Sequence, residues 1–381
     1  MLCDEAGSET LESKGIDSIA AIGAFKRGSG VRWDSSSARS YRFPHFCRAA
    51  EFEEVKFTFG VPAMRTILCK AACPTLAIFL VSVLLGPASA APRQASGKQV
   101  PNLSSVLEPA SGALLGQFYG AGGVAQTAAK LGRIPPVHLT YYPWDADWNG
   151  SVTKADLAAG RIPLVNWEPH HIDFARIIDG SLDATIKARA NGAKALGQKF
   201  FLDFAAEMNG DEAWSGNNAT LYVAAYRHIH DLFVAAGATN VVWAWCPNVT
   251  DTEGGNRTTM DYYPGDSYVD WTGVDGYNWG TKNGGWQSFQ QVFKDIYPLL
   301  AAKKKPIIIG EMSSAEAGGD KAKWIDQIIP TLRTSFPLIK CVVWFDINKE
   351  ADWRISSSPA SEASFIRMAK DPYFVTIPGG L

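Results

Sequence analysis

Two glutamates close short apolar runs in settings that favour chemistry over ordinary surface charge. Glu207 stands in the segment AAEMNG, directly after the run KFFLDF, and Glu311 follows Ile307-Ile308-Ile309-Gly310. A charged side chain ending three isoleucines is costly unless it is solvated or paired. A single glutamate so placed reads equally well as a strand-end salt bridge. Two of them, amid Trp, Tyr and Asn, argue for a site. Paired carboxylates are what glycosidic bond hydrolysis requires: one protonates the leaving oxygen, and the other attacks the anomeric carbon or activates water there. At a separation of about 5–5.5 Å the second carboxylate acts as the nucleophile and configuration is retained. Like charges that close also pull the two pKa values apart, which keeps one group protonated as the acid.

Other chemistry finds less support. His170-His171 lacks a third ligand at suitable spacing, and His228 and His230 sit two apart on a helical pattern, so they cannot face one ion. No metal site is expected. Ser313-Ser314 lacks the nucleophile-elbow pattern. Gly120-Ala121-Gly122-Gly123 lacks the G-x-G-x-x-G spacing of a dinucleotide turn, so no cofactor is expected. Lys303-Lys304-Lys305 reads as a short solvated loop. With 36 basic against 38 acidic residues, the chain carries no excess that would make it a general nucleic-acid binder. Its 46% hydrophobic and 19% charged content is that of a globular protein.

The glutamates need a scaffold, and the pattern supplies one. Short apolar runs recur eight times: 114–120, 137–142, 162–169, 199–207, 240–248, 269–279, 305–311 and 340–348. Helical candidates at 121–132, 182–196, 219–236, 287–303 and 320–335 separate them. Near-continuous β-branched runs suit parallel strands covered by helices on both faces. The alternation predicts a (β/α)8 TIM barrel over 108–375, and the missing glycine fingerprint disfavours a doubly wound sheet. In such a barrel, catalytic groups project from the C-terminal strand ends. Glu207 ends the fourth strand and Glu311 the seventh.

Upstream, residues 64–90 have the three parts of a secretory signal. Arg65 and Lys70 precede an apolar stretch, Leu76–Leu85, and Ala88-Ser89-Ala90 suits cleavage before Ala91. Residues 1–63 show no sustained period and read as a disordered or non-native extension, with 91–107 as a linker. The expected product is secreted, extracellular and free of the membrane after cleavage, and is a monomer. Cys3, Cys47, Cys69 and Cys73 lie before the cut; Cys246 and Cys341 remain and are expected as buried thiols. N-x-S/T sequons fall at Asn102, Asn149, Asn218, Asn248 and Asn256.

The segments EMNGDEAW (207–214), VVWAWCPN (241–248), DWTGVDGYNWG (270–280), IIIGEMSS (307–314) and VWFDINKEADWR (343–354) together resemble glycoside hydrolase family 26. That family holds β-mannanases with some mixed-linkage β-glucanases and β-1,3-xylanases. The likeness runs in order over roughly residues 110–370. It implies a metal-independent retaining hydrolase of polysaccharides or oligosaccharides, most simply a β-1,4-mannanase, with Glu207 as acid/base and Glu311 as nucleophile. By the same likeness Asn209 and Trp214 shape the acid/base side, Tyr277 hydrogen-bonds the nucleophile and Trp344 forms the platform beneath the sugar. Pyranose C–H faces stack on aromatic rings, which suits that last role. Trp167 and Trp279 fit either cleft or core, while Trp243 and Trp324 read as core. Two positions depart from the family: Ala206 replaces a His before the acid/base, and Asp203 replaces an Arg. These changes leave room for a β-1,3-1,4-glucanase, a β-1,3-xylanase or a non-catalytic glycan-binding barrel.

Overall fold

Eight parallel strands close on themselves in sequence order. They are β1 (Leu114–Tyr119), β2 (Val137–Pro143), β3 (Ile162–Glu168), β4 (Phe200–Phe204), β5 (Val241–Trp245), β6 (Trp271–Asn278), β7 (Ile307–Ser314) and β8 (Ile339–Asp346). The computed structural model describes residues 104, 106–119, 123–210, 214, 218–251 and 259–375. The signal at 64–90, the extension before it and most of the 91–107 stretch lie outside the described residues. The expected barrel is present.

Helices cover its outer face: α1 (Gly123–Leu131), α2 (Ser151–Ala158), α3 (Phe174–Ile178), α4 (Asp183–Leu196), α5 (Ala219–Ala236), α6 (Phe289–Phe293), α7 (Tyr297–Ala301), α8 (Lys321–Asp326), α9 (Ile328–Thr334) and α10 (Pro359–Lys370). The single helix expected over 287–303 is two, because Pro298 lacks an N–H and starts a new helix at its first turn. The 320–335 stretch likewise divides, at Gln327. Helix α5 keeps its full length: the Asn218 side chain caps its first turn and Gly237, in the left-handed conformation, ends it.

Strand alternation sorts the core into two shells. Leu114, Val137, Leu139, Ile162, Leu164, Phe201, Val242, Ala244, Ile308, Cys341 and Val343 form one cluster that fills the barrel. The intervening residues, among them Leu115, Val165, Leu202, Val274, Ile309 and Val342, join the cluster that includes the helices. Leu107 is buried with the inner cluster, and the Val106 carbonyl accepts the Trp271 indole N–H at 2.6 Å. The end of the supposed linker is therefore part of the domain. Cys246 and Cys341 are both buried and unpaired with each other.

One irregularity matters for the site. Val274 pairs with Ile309, but the next residue, Asp275, pairs with Glu311. Gly310 is the extra residue of a β-bulge. Strict alternation after inward-facing Ile308 would turn Glu311 outward; the bulge turns it into the barrel mouth instead. A Cβ on Gly310 would lie 2.7 Å from an Asp275 carboxyl oxygen and 3.2 Å from the Cys246 sulfur. Only glycine fits there.

Candidate active site

The Glu207 side is built by an abrupt turn after β4. Ala205 and Glu207 both adopt the left-handed backbone conformation, with φ of 53° and 56°. For side chains other than glycine this costs about 1–3 kcal/mol each, a strain that clusters at functional sites. The turn is secured by the Glu207 N–H donating to the Cys246 carbonyl at 2.8 Å and the Gly210 N–H donating to the Glu207 carbonyl at 2.8 Å. From β5's side, the Asn248 amide donates to Glu207 Oε1 at 2.9 Å.

Across the barrel mouth, Glu311 is held at both oxygens. Tyr141 donates to Oε1 and Tyr277 to Oε2, each at 2.5 Å. Burial first, and then the charge of Glu311, pushes both phenols well above the ordinary tyrosine range. Both hydroxyls therefore keep their protons and act as donors throughout any useful pH range. A carboxylate held at both oxygens cannot rotate freely. Tyr277 was singled out by the family likeness, and here it hydrogen-bonds Glu311. Tyr141 was not singled out in the sequence, although Val137, Leu139 and Tyr141 share the inward parity of β2 and a count from the barrel core reaches it.

Two further acids lie below the pair. Asp203 on β4 and Asp275 on β6 are buried. Burial pushes Asp203 up to about 7 against the pull of hydrogen bonds from Cys246. Asp275 is raised well above the carboxylate range by burial, then by the charges of Glu311 and Glu207. Asp275 is the β6 residue that pairs with Glu311 just past the bulge. Asp203 stands where the family likeness places an Arg. It lies inside the barrel, and its environment makes it a largely protonated group below neutrality.

The aromatic assignments change more. Trp344 is fully buried on the outer side of β8, with its ring edge-on to Trp324 at 6.0 Å and to Phe365 at 5.1 Å. It offers no face to a sugar. Strand parity is the reason: the inward residue beside it is Phe345, which stacks on Phe118 at 5.1 Å and meets Tyr141 and Tyr277 edge-on. Trp167 is also fully buried, stacked on Trp144 at 4.4 Å behind β3. Trp279 is half-buried beside Tyr277 and Trp353, within the cluster that holds Phe345. Trp214 is buried near the acid/base turn, donating to the Ala206 carbonyl at 2.6 Å, with the His170 ring 4.9 Å away. Trp243 and Trp324 are core, as read.

Trp353, not singled out as a site residue, is fully buried and walls the Glu311 side from behind, 4.9 Å from the Tyr277 ring. Its loop is pinned from below. Buried Lys321 donates to the Asp352 and Arg354 carbonyls and to the Ser357 hydroxyl at 2.8–3.1 Å. Trp344 contributes here as well, by donating its indole N–H to the Trp353 carbonyl at 3.0 Å. Trp344 thus supports the wall from behind.

The family model of glycosyl hydrolase family 26 matches residues 169–367, which carry both glutamates and the Trp353 wall. The chain belongs to glycosyl hydrolase family 26. Endoglucanase H of Acetivibrio thermocellus is 42% identical over 246 residues, covering 61% of this family 26 chain. The match spans 27% of that relative's length. Among solved structures, the Bacillus subtilis mannanase BCman superposes with a TM-score of 0.53 at 18% identity, covering 73% of this chain and 94% of that one. The catalytic domain of the Bacillus sp. JAMB-750 GH26 endo-β-1,4-mannanase gives 0.53 at 17%, covering 71% and 90%. These structural likenesses establish the barrel.

Proposed function

We propose that this family 26 member is a retaining endo-β-glycanase that cleaves a β-glucan backbone, with Glu207 as acid/base and Glu311 as nucleophile. The observation that carries the two-carboxylate reading is the Glu311 clamp: two tyrosines kept protonated by burial hold both oxygens of a carboxylate aimed by a bulge. Glu207 protonates the departing glycosidic oxygen while Glu311 attacks the anomeric carbon. Glu207 then takes a proton from water as water displaces Glu311. The glucan assignment is supported by the endoglucanase at 42% identity and by Ala206, which lacks the imidazole carried by family members at that position. The β-1,4-mannan reading is favoured by the retained EMNG and DWR segments.

Galactomannan, lichenan and β-1,3-xylan assayed in parallel separate these readings. Lichenan is expected to release reducing ends fastest, with the β-anomer formed first. Preferential cleavage of galactomannan would replace glucan with mannan. Binding without cleavage of any polymer by folded protein would mean a glycan-binding barrel. We also propose export through residues 64–90: N-terminal sequencing of material recovered from the medium should begin at Ala91, and a start before residue 64 would overturn it.

A further inference from the structure

We infer that Asn248 is a positioning residue that orients Glu207 and sets how readily it gives up its proton, and that Asn209 acts through Asn248. The inference rests on Glu207 being the acid/base of the proposed reaction. It begins from how completely the Asn248 amide is fixed. Its Oδ1 accepts from the Thr250 N–H at 3.0 Å and from the Thr250 hydroxyl at 3.2 Å. Oδ1 being engaged by two donors, the amide must turn its Nδ2 donor toward Glu207 Oε1 at 2.9 Å. The backbone of Asn248 is gripped as well. Its N–H donates to Asn209 Oδ1 at 2.7 Å and its carbonyl accepts from Asn209 Nδ2 at 3.0 Å.

Asn209 is buried and spends its remaining donor capacity inward. Its Nδ2 also lies 2.8 Å from Asp251 Oδ1 and 3.2 Å from the Thr259 hydroxyl. No atom of it is left to bind a sugar. Gly210 allows the close approach: a Cβ there would lie 3.1 Å from the Glu207 carbonyl and 3.4 Å from Asn248 Cβ. The isolated bridge from Asn248 to Asp275 ties the same residue to β6, and thus to the strand that pairs with Glu311.

A neutral donor aimed at a carboxylate favours the charged form. That effect opposes the charge of Glu311 on β7, which shares Asp275 and Tyr277 as neighbours with Glu207; Asp275 on β6 and Asp203 on β4 hold their protons through burial, and Tyr277 stays neutral. On the β3 side stand Glu168 and His170, themselves paired at 3.1 Å. Beside the Glu311 charge, an acid/base without Asn248 would hold its proton more tightly and return less readily to the base form needed for the second step.

Asn248→Ala should move the alkaline limb of kcat/KM for polysaccharide upward by roughly half to one pH unit, since the lost donor raises proton affinity. Its rate on polysaccharide should fall roughly 10–100-fold. On an aryl glycoside with an acidic phenol leaving group, which needs no protonation to depart, kcat/KM should change about threefold at most. Asn209→Ala should show the same selectivity, and thermal melts check that each variant is folded. Equal losses on both substrates with an unmoved pH limb would overturn the inference. Glu207→Ala is run beside them. If it cleaves polysaccharide at the normal rate, the acid/base reading fails; if it is inactive there while Asn248→Ala resembles the parent, only the inference fails.

Discussion

Glu311→Ala is expected to lower kcat on the polymer by roughly a thousand-fold or more, because the proposed mechanism gives the covalent step to Glu311. The loss should be largely insensitive to substrate concentration, as the half-buried rings of Tyr277 and Trp279 beside Glu311 are left in place. Azide distinguishes the two glutamates. In Glu311→Ala the anion enters the space left by the carboxylate, attacks a substrate with a good leaving group from that face, and gives the inverted α-glycosyl azide. In Glu207→Ala it attacks the covalent intermediate from the opposite face and gives the β-product. Retention of more than about a tenth of the parent rate by Glu311→Ala would remove the nucleophile assignment. So would a β-azide from that variant. Burial, the largest cause of the raised Tyr141 and Tyr277 titrations, persists without Glu311 and disfavours either phenol as a substitute nucleophile.

The barrel was legible because its evidence is distributed: eight apolar runs at strand length, with helices between them, and no single residue decides the outcome. The two glutamates were legible because charge at the end of an apolar strand is locally anomalous. The aromatic roles were not, and the reason is parity. A tryptophan in a strand faces the cleft or the helices according to an odd or even count, and a one-residue error exchanges Trp344 for Phe345. The bulge at Gly310 adds exactly such an offset on β7, and nothing in IIIGEM announces it. Asn209 shows a different limit. Its presence in EMNG marks it as important, yet its contacts are with residues 248, 251 and 259, which no local pattern connects to it.

Asp203→Asn is expected to stabilise the protein at alkaline pH, and the sign follows from linkage. The folded carboxyl titrates at about 7, against 3.8 when unperturbed. Between these values the folded state holds a proton that the unfolded chain releases, so stability falls as pH rises through that window. The loss totals about 4 kcal/mol above pH 7 and is absent below pH 4. Asparagine cannot titrate, so its contribution is level with pH. At pH 8 the variant should melt higher than the parent by roughly 5–10 °C, and at pH 4 the two should converge. Asp275 has the same sign and leaves part of the slope in place. Melting curves at pH 4, 6 and 8 decide it: parallel parent and variant profiles would show that Asp203 does not titrate in this range. A carboxyl that costs stability inside a barrel, close enough to Glu311 to feel its charge, invites comparison of activity in the same variant. A more stable but slower Asp203→Asn would mean that the buried acid is retained for the chemistry above it.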